Sequence, residues 1–181
     1  MKSKKNSPLW TAVRSIDSNI SSSKSEPAPT AVKWYTWTEA IAQMEKDKKP
    51  KKLFVDLYTQ WCGYCKKMDR QTFSDPLVAK YLNEHFYPVK FDAEQREALR
   101  YADHTFKYDP KRGRNGTHAL AFALLDGNLQ YPSLVYLDEK QKRIAISPGF
   151  KPADSFLREL RFFGDNHYKV MDYETYKRKE N

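Results

Sequence analysis

The sequence predicts an α/β protein, a central sheet layered between helices on both faces. Three observations carry this. Apolar runs of strand length at Lys52–Tyr58, Tyr87–Phe91 and Leu134–Leu137 alternate with segments of helical periodicity. A second short run, Arg143–Ile146, follows the polar turn Asp138-Glu139-Lys140-Gln141 as a hairpin partner would. At 181 residues, 40% of them hydrophobic, the chain is long enough for one well-buried core.

Residues 1–32 read as a flexible tail. Ser21-Ser22-Ser23-Lys24-Ser25 and Pro27-Ala28-Pro29 have linker composition, and Trp10, Val13 and Ile16 offer a short anchoring turn or a frayed segment. The fold begins at Val32-Lys33-Trp34-Tyr35. Thr38 is positioned to cap a helix that carries Ala40, Ile41 and Met44 on one face and stops at Lys49-Pro50. Lys52–Tyr58 is nearly continuous in apolar residues, as a central strand buried on both faces requires. A helix follows from the cysteine pair to about Thr72. Ser74-Asp75-Pro76 opens the next helix, with Leu77, Val78, Tyr81 and Leu82 turned inward.

After the strand at Tyr87–Phe91 comes a long excursion, residues 93–130. It contains a short strand at Thr105–Tyr108, a turn-rich loop from Asp109 to Gly116 and a helix from Ala119 to Leu125. The strand at Leu134–Leu137, its hairpin partner and a helix opened by Lys151-Pro152-Ala153-Asp154, with Phe156, Leu157 and Leu160, complete the pattern. Residues 164–181 form a C-terminal extension. No internal repeat is present.

The formal net charge is +9. Its basic clusters, at Lys2-Lys5, Lys46-Lys52 and Lys177-Lys179, are scattered and accompany no nucleic-acid module, so they are assigned to solvated loops and tails. No stretch is long and apolar enough to span a bilayer, and the start lacks a signal-peptide apolar region. The chain as written is therefore cytoplasmic, or else a signal has been removed. A monomer is expected.

Trp61-Cys62-Gly63-Tyr64-Cys65-Lys66 holds both cysteines of the chain. Two thiols three positions apart at a helix start form a redox pair. The first sits where amide N–H groups and the helix dipole favour a thiolate, and the second lies one turn on. Cys62 is the natural attacking sulfur and Cys65 the resolving one. Asp56 stands six residues before Cys62 on the apolar strand. Val55 and Leu57 point to the opposite face from it. Buried there, its carboxylate has a raised pKa and accepts the proton of Cys65; on an exposed edge it merely faces water. Lys90 on the next strand is placed to tune Asp56, or else is an ordinary surface lysine. Pro132, at a strand start, is a candidate for a cis peptide beside the thiols, where the backbone of Tyr131 pairs with an extended substrate; a trans proline is the ordinary alternative.

The run from Leu53 through Lys66 resembles the active-site segment of the thioredoxin superfamily. The likeness continues in order through Val89-Lys90-Phe91-Asp92, Tyr131-Pro132 and Pro148-Gly149, and covers residues 33–163. It implies a thioredoxin-like fold with a mixed sheet, an insertion before the strand of Pro132, and a cis bond at that proline. It also implies that Trp61, Pro132 and Gly149 border a groove for protein thiols and disulfides, where Tyr64 and Tyr131 are further candidate substrate contacts. No cofactor beyond the Cys62–Cys65 disulfide is expected, and a separate redox partner recycles the pair. Thr72-Phe73-Ser74-Asp75-Pro76 is similar to the C-terminal domain of membrane thiol–disulfide interchange reductases. The Gly113–Leu125 region and Phe163–Lys169 resemble secreted thioredoxin-like proteins of Bacteroidetes-type bacteria, which implies a periplasmic home. Two departures stand out: Tyr64 replaces the usual proline between the cysteines, and the connection from Asp92 to Pro132 is longer. Potentials in this superfamily run from about −270 to about −120 mV and depend on the intervening pair.

Three rival readings bear on the cysteine pair. A structural zinc site wants four ligands, yet no other cysteine exists and His85, His104, His118 and His167 show no ligand spacing. An inert disulfide across so short a loop would staple almost nothing. A non-catalytic binding or chaperone module could keep the fold without the chemistry. The intact pair with Asp56 favours a thiol–disulfide oxidoreductase, acting as a reductase or isomerase.

Overall fold

The computed structural model describes residues 31–180. The tail 1–32, with its possible anchor at Trp10, Val13 and Ile16, lies almost wholly outside the described residues.

Strands β1 (Lys52–Tyr58) and β2 (Phe86–Asp92) are parallel, with Asp56 opposite Lys90. Strand β7 (Ser133–Leu137) pairs antiparallel with β1 and with β8 (Arg143–Pro148). Together they make a four-stranded mixed sheet in the order β2-β1-β7-β8. Strand β1 is an inner strand, which is why six of its seven residues are buried. Pro88 is tolerated because β2 lies at the edge, where its carbonyl accepts from Tyr35 N.

Alternation along β1 divides the core in two. Leu53, Val55 and Leu57 face one layer, with α1 (Trp37–Lys46) and α4 (Ala119–Leu124). Phe54 faces the other, packing on Phe73, Phe86, Tyr136 and Phe156. That layer is closed by Met68 of α2 (Gly63–Gln71), by α3 (Pro76–His85) and by α5 (Ala153–Gly164). Asp56, two residues after Phe54, points to this second layer.

Local details refine the sequence reading. Helix α1 is capped by Thr36 rather than Thr38: Thr36 Oγ1 accepts from Glu39 N, and the Glu39 carboxylate accepts from Thr36 N, a reciprocal capping box. Asp75 caps α3 as expected. Leu77, however, is 62% exposed, because the inward stripe is Val78, Ala79 and Leu82 and position 77 falls outside it. Tyr81 is half-buried, its hydroxyl donating to Asp165.

The excursion forms two small antiparallel ladders where the sequence predicts one strand. Strands β3 (Leu99–Tyr101) and β4 (His104–Phe106) make one, β5 (Tyr108–Asp109) and β6 (Thr117–His118) the other. The C-terminal extension carries a 3-10 turn (His167–Lys169) and a helix α6 (Tyr173–Glu180). Tyr176 of α6 is buried against Phe162. No described helix is long and apolar enough to cross a membrane.

Candidate active site

Strand β1 delivers its C-terminal end into the turn Thr59-Gln60-Trp61, which Cys62 N closes by donating to Thr59 O at 3.1 Å. Cys62 is the N-cap of α2, and its Sγ accepts from the Cys65 amide at 3.1 Å. The sulfur thus occupies the place where a helix holds negative charge, surrounded by amide donors that have no partner within the helix. Cys62 and Cys65 are joined by a disulfide, with Cα atoms 5.3 Å apart.

Asp56 is 1% exposed. Its Oδ2 accepts from Lys90 Nζ at 2.7 Å, while its Oδ1 is buried with no hydrogen-bond partner among the described residues. Burial pushes the Asp56 carboxyl up to about 6, although the Lys90 ammonium pulls the other way. Burial lowers Lys90, but Asp56 and Asp69 outweigh it and its pKa is raised. Lys90 reaches both carboxylates at once, bonding Asp69 on α2 as well. It also lies 5.0–5.1 Å from the rings of Trp34, Tyr58 and Phe73. Asp69 is four residues after Cys65, so the two share one face of α2. The ammonium therefore ties the strand carboxylate to the helix face that carries the second sulfur.

The Tyr131–Pro132 bond is cis. Pro132 O accepts from Gly149 N at 2.8 Å, which joins the two loops beside the disulfide. Gly149 has φ +90°, a conformation that a side chain would strain. Tyr131 lies outside the β7 ladder, and its ring meets that of Trp61 edge-on at 6.2 Å. Trp61 is 56% exposed and Tyr64 65% exposed. Tyr64 lies 6.4 Å from the ring of Phe150, the neighbour of Gly149. Trp61 thus meets Tyr131, Tyr64 meets Phe150, and Pro132 is hydrogen-bonded to Gly149, while Asp56 is buried inside the fold with Lys90 on it.

Several participants escape the sequence reading. Asp69 has a usable signal, since i+4 spacing from Cys65 marks the same helix face. Glu94 accepts from Trp61 Nε1 at 2.8 Å and from Asn115 Nδ2 at 3.2 Å, so the excursion holds the indole in place. Asn115 is itself seated by Tyr108, whose hydroxyl donates to Asn115 O. Nothing local in the sequence announces this contact across 21 residues. His118 N-caps α4: its Nδ1 accepts from Leu120 N, and its other ring nitrogen meets Glu97 O. Burial lowers its pKa, so it is a neutral structural ring. Among the described residues no three His, Cys, Asp or Glu side chains converge as metal ligands would.

Known proteins resemble this chain to different extents. The thiol:disulfide interchange protein DsbD of Pectobacterium atrosepticum is 32% identical over 118 residues, which are 64% of this chain and 17% of that protein. The disulfide bond reductase DsbH of Chlamydia pneumoniae is 26% identical over 126 residues, 69% of this chain and 67% of its own length. The chain spans less than a fifth of the first curated relatives it matches (9%, 17% and 8% of their lengths). A solved structure described as DsbH oxidoreductase superposes with a TM-score of 0.54 at 18% identity, covering 92% of this chain and 96% of that one, and so shares its fold. A family model described as Thioredox_DsbH, "Protein of unknown function, DUF255", matches residues 16–151. The chain belongs to this Thioredox_DsbH family, and its fold is the thioredoxin fold.

Proposed function

We propose that the chain is a thiol–disulfide oxidoreductase that reduces protein disulfides through a mixed disulfide on Cys62. The observation that supports this most is Cys62 Sγ at the N-cap of α2, accepting the Cys65 amide. A thiolate is stabilised there both as attacking group and as leaving group. The reductive direction is adopted from the relatives, one of which is named a disulfide bond reductase.

The Cys62 thiolate attacks one sulfur of a substrate disulfide, and the other leaves as a thiolate and takes up a proton. Cys65 then gives its proton to Asp56 and attacks Cys62 Sγ. The second substrate sulfur is released and protonated, and two electrons have passed from the pair to the substrate. A separate dithiol partner returns the pair to the reduced form. Asp56 suits its role because it is a buried base tied through Lys90 and Asp69 to the helix that carries the resolving sulfur, and its second oxygen has no partner among the described residues, so that it accepts a proton near pH 6. Trp61, Tyr64, Tyr131, Pro132 and Gly149 form the rim that receives the substrate chain. A periplasmic location accompanies this reading, resting on the likeness to secreted bacterial thioredoxin-like proteins.

Reduction of insulin by the dithiol-charged protein, with the Cys65→Ser variant trapping a mixed disulfide on Cys62, is the expected result. If the wild type leaves insulin intact and Cys65→Ser traps nothing, the fold serves as a binding or chaperone module instead.

A further inference from the structure

Groups of opposite charge stand on the two sides of the disulfide, and Lys67, Arg70, Asp92 and Glu94 form no ion pair among the described residues. On the α2 side, Gly63, Tyr64, Lys67, Arg70 and Gln71 line a groove of about 400 Å³. The spacing of 64, 67 and 71 marks one helical stripe that begins between the two cysteines. Lys67 lies 4.5 Å over the Phe150 ring, and neither it nor Arg70 forms an ion pair among the described residues. The one acidic residue of α2, Asp69, pairs with Lys90 and with neither of them. On the Trp61 side stand Asp92 and Glu94. Their side chains accept only from neutral donors among the described residues: Gln60 Nε2 and Glu94 N for Asp92, Trp61 Nε1 and Asn115 Nδ2 for Glu94. Both carboxylates also add to the burial that pushes the Tyr131 hydroxyl up to about 12.

From this we infer that the rim selects a charge-sorted protein segment. Its cysteine is flanked on one side by acidic residues, which lie over Lys67 and Arg70, and on the other by basic residues, which lie over Asp92 and Glu94. The inference rests on the oxidoreductase reading and adds to it which protein disulfides are taken. Unneutralised charge of opposite sign across a reacting centre raises encounter rates for matching partners and fixes their orientation. Exposed tyrosine and tryptophan supply contact area on either side of the sulfur.

The test uses the full chain, reduced by dithiothreitol and freed of it. Three synthetic peptides each carry one central cysteine as its disulfide with 2-mercaptoethanol. One has aspartates before the cysteine and lysines after it, one has the reverse order, and one has serines throughout. Cys62 attacks the peptide disulfide, Cys65 resolves it, and two electrons leave the protein for the two released thiols. One charge-sorted peptide is expected to react about tenfold faster than the serine peptide, and the other more slowly. The difference should collapse between about 0.01 M and about 1 M salt, as the screening length falls from about 30 to about 3 Å. The double variant Lys67→Glu/Arg70→Glu should erase or invert the order. Glu94→Gln, which keeps an oxygen for the indole but loses the charge, should shrink it. Equal rates for all three peptides overturn the charge-sorting while leaving the oxidoreductase reading intact, and so does a preference that survives high salt and the double variant. If the serine peptide and insulin both fail to react, the oxidoreductase reading fails and this inference falls with it.

Discussion

Asp56 and Glu159 lie against the same layer of the sheet, and burial raises the pKa of both. What meets their oxygens differs. Glu159 Oε1 accepts from the Tyr136 hydroxyl at 2.8 Å, and Oε2 accepts from the Ser147 hydroxyl at 3.0 Å, with Lys151 Nζ at 3.9 Å. It ties α5 to β7 and β8 with every oxygen used. Asp56 has one oxygen on Lys90 and one with no partner among the described residues. A buried carboxylate that is fully bonded holds structure together. One that keeps an unpartnered buried oxygen raises the energy of the folded state and is available to a proton. The contrast is the physical basis for assigning chemistry to one acid and architecture to the other.

The largest expected effect comes from breaking the architectural acid. Glu159→Ala leaves the Tyr136 and Ser147 hydroxyls without their acceptor inside the core. Unfolding free energy should fall by about 3–5 kcal/mol in urea titration, the usual result of removing one partner from a buried polar network. A loss under about 1 kcal/mol would put Glu159 among ordinary surface groups.

Asp56→Asn should move stability the other way. An unperturbed aspartate carboxyl titrates at 3.8 and this one at about 6 in the fold, so the folded state binds the proton more tightly. Its contribution to stability is present below pH ~4 and lost as pH rises to about 6. Above that, Asp56→Asn should be more stable than wild type, by on the order of 3 kcal/mol, and the gain should vanish at acid pH. Equal or lower stability of the variant at pH ~8 would mean that Lys90 fully offsets the cost of burying the charge.

Lys90→Met removes the only cation paired with Asp56 among the described residues, leaving burial unopposed. The pH midpoint for disulfide exchange should rise by about one unit. An unmoved midpoint would show that Lys90 holds α2 in place through Asp69 without tuning Asp56. The smallest effect is expected at Asn115→Ala, which deletes one exposed hydrogen bond from a neutral amide to the Glu94 carboxylate, worth about 1 kcal/mol. It should lower kcat/KM on protein disulfides a few-fold through KM, since the Glu94 carboxylate that holds the indole is itself less firmly held. Unchanged kinetics would detach the excursion from the rim.

The contrast between the acids also marks how far the sequence could be read. Asp56 stands out because a lone carboxylate interrupts an apolar run on an inner strand. Glu159 does not, because Phe156-Leu157-Arg158-Glu159-Leu160 reads as an amphipathic helix in which a glutamate ordinarily faces water. Only the packing of α5 over Tyr136 turns it inward. The sheet strands are legible because period and length agree. The excursion is legible only as turns, since its two ladders are three and two residues per strand and depend on contacts with the main fold. The buried role of Tyr176 in the C-terminal extension is hidden for the same reason: α6 is rich in charge, and two tyrosines, Tyr173 and Tyr176, carry its attachment to Phe162.

In the proposed reaction Asp56 takes the proton of Cys65. The direct measurement is the single-turnover rate at which Cys65 resolves a mixed disulfide on Cys62, followed across pH in wild type and in Asp56→Asn. Asp56 must be ionised to accept a proton, so the wild-type rate should climb through an inflection near pH ~6. The variant should lose that inflection and run about 100-fold slower at neutral pH. Superimposable profiles for the two proteins would contradict the account.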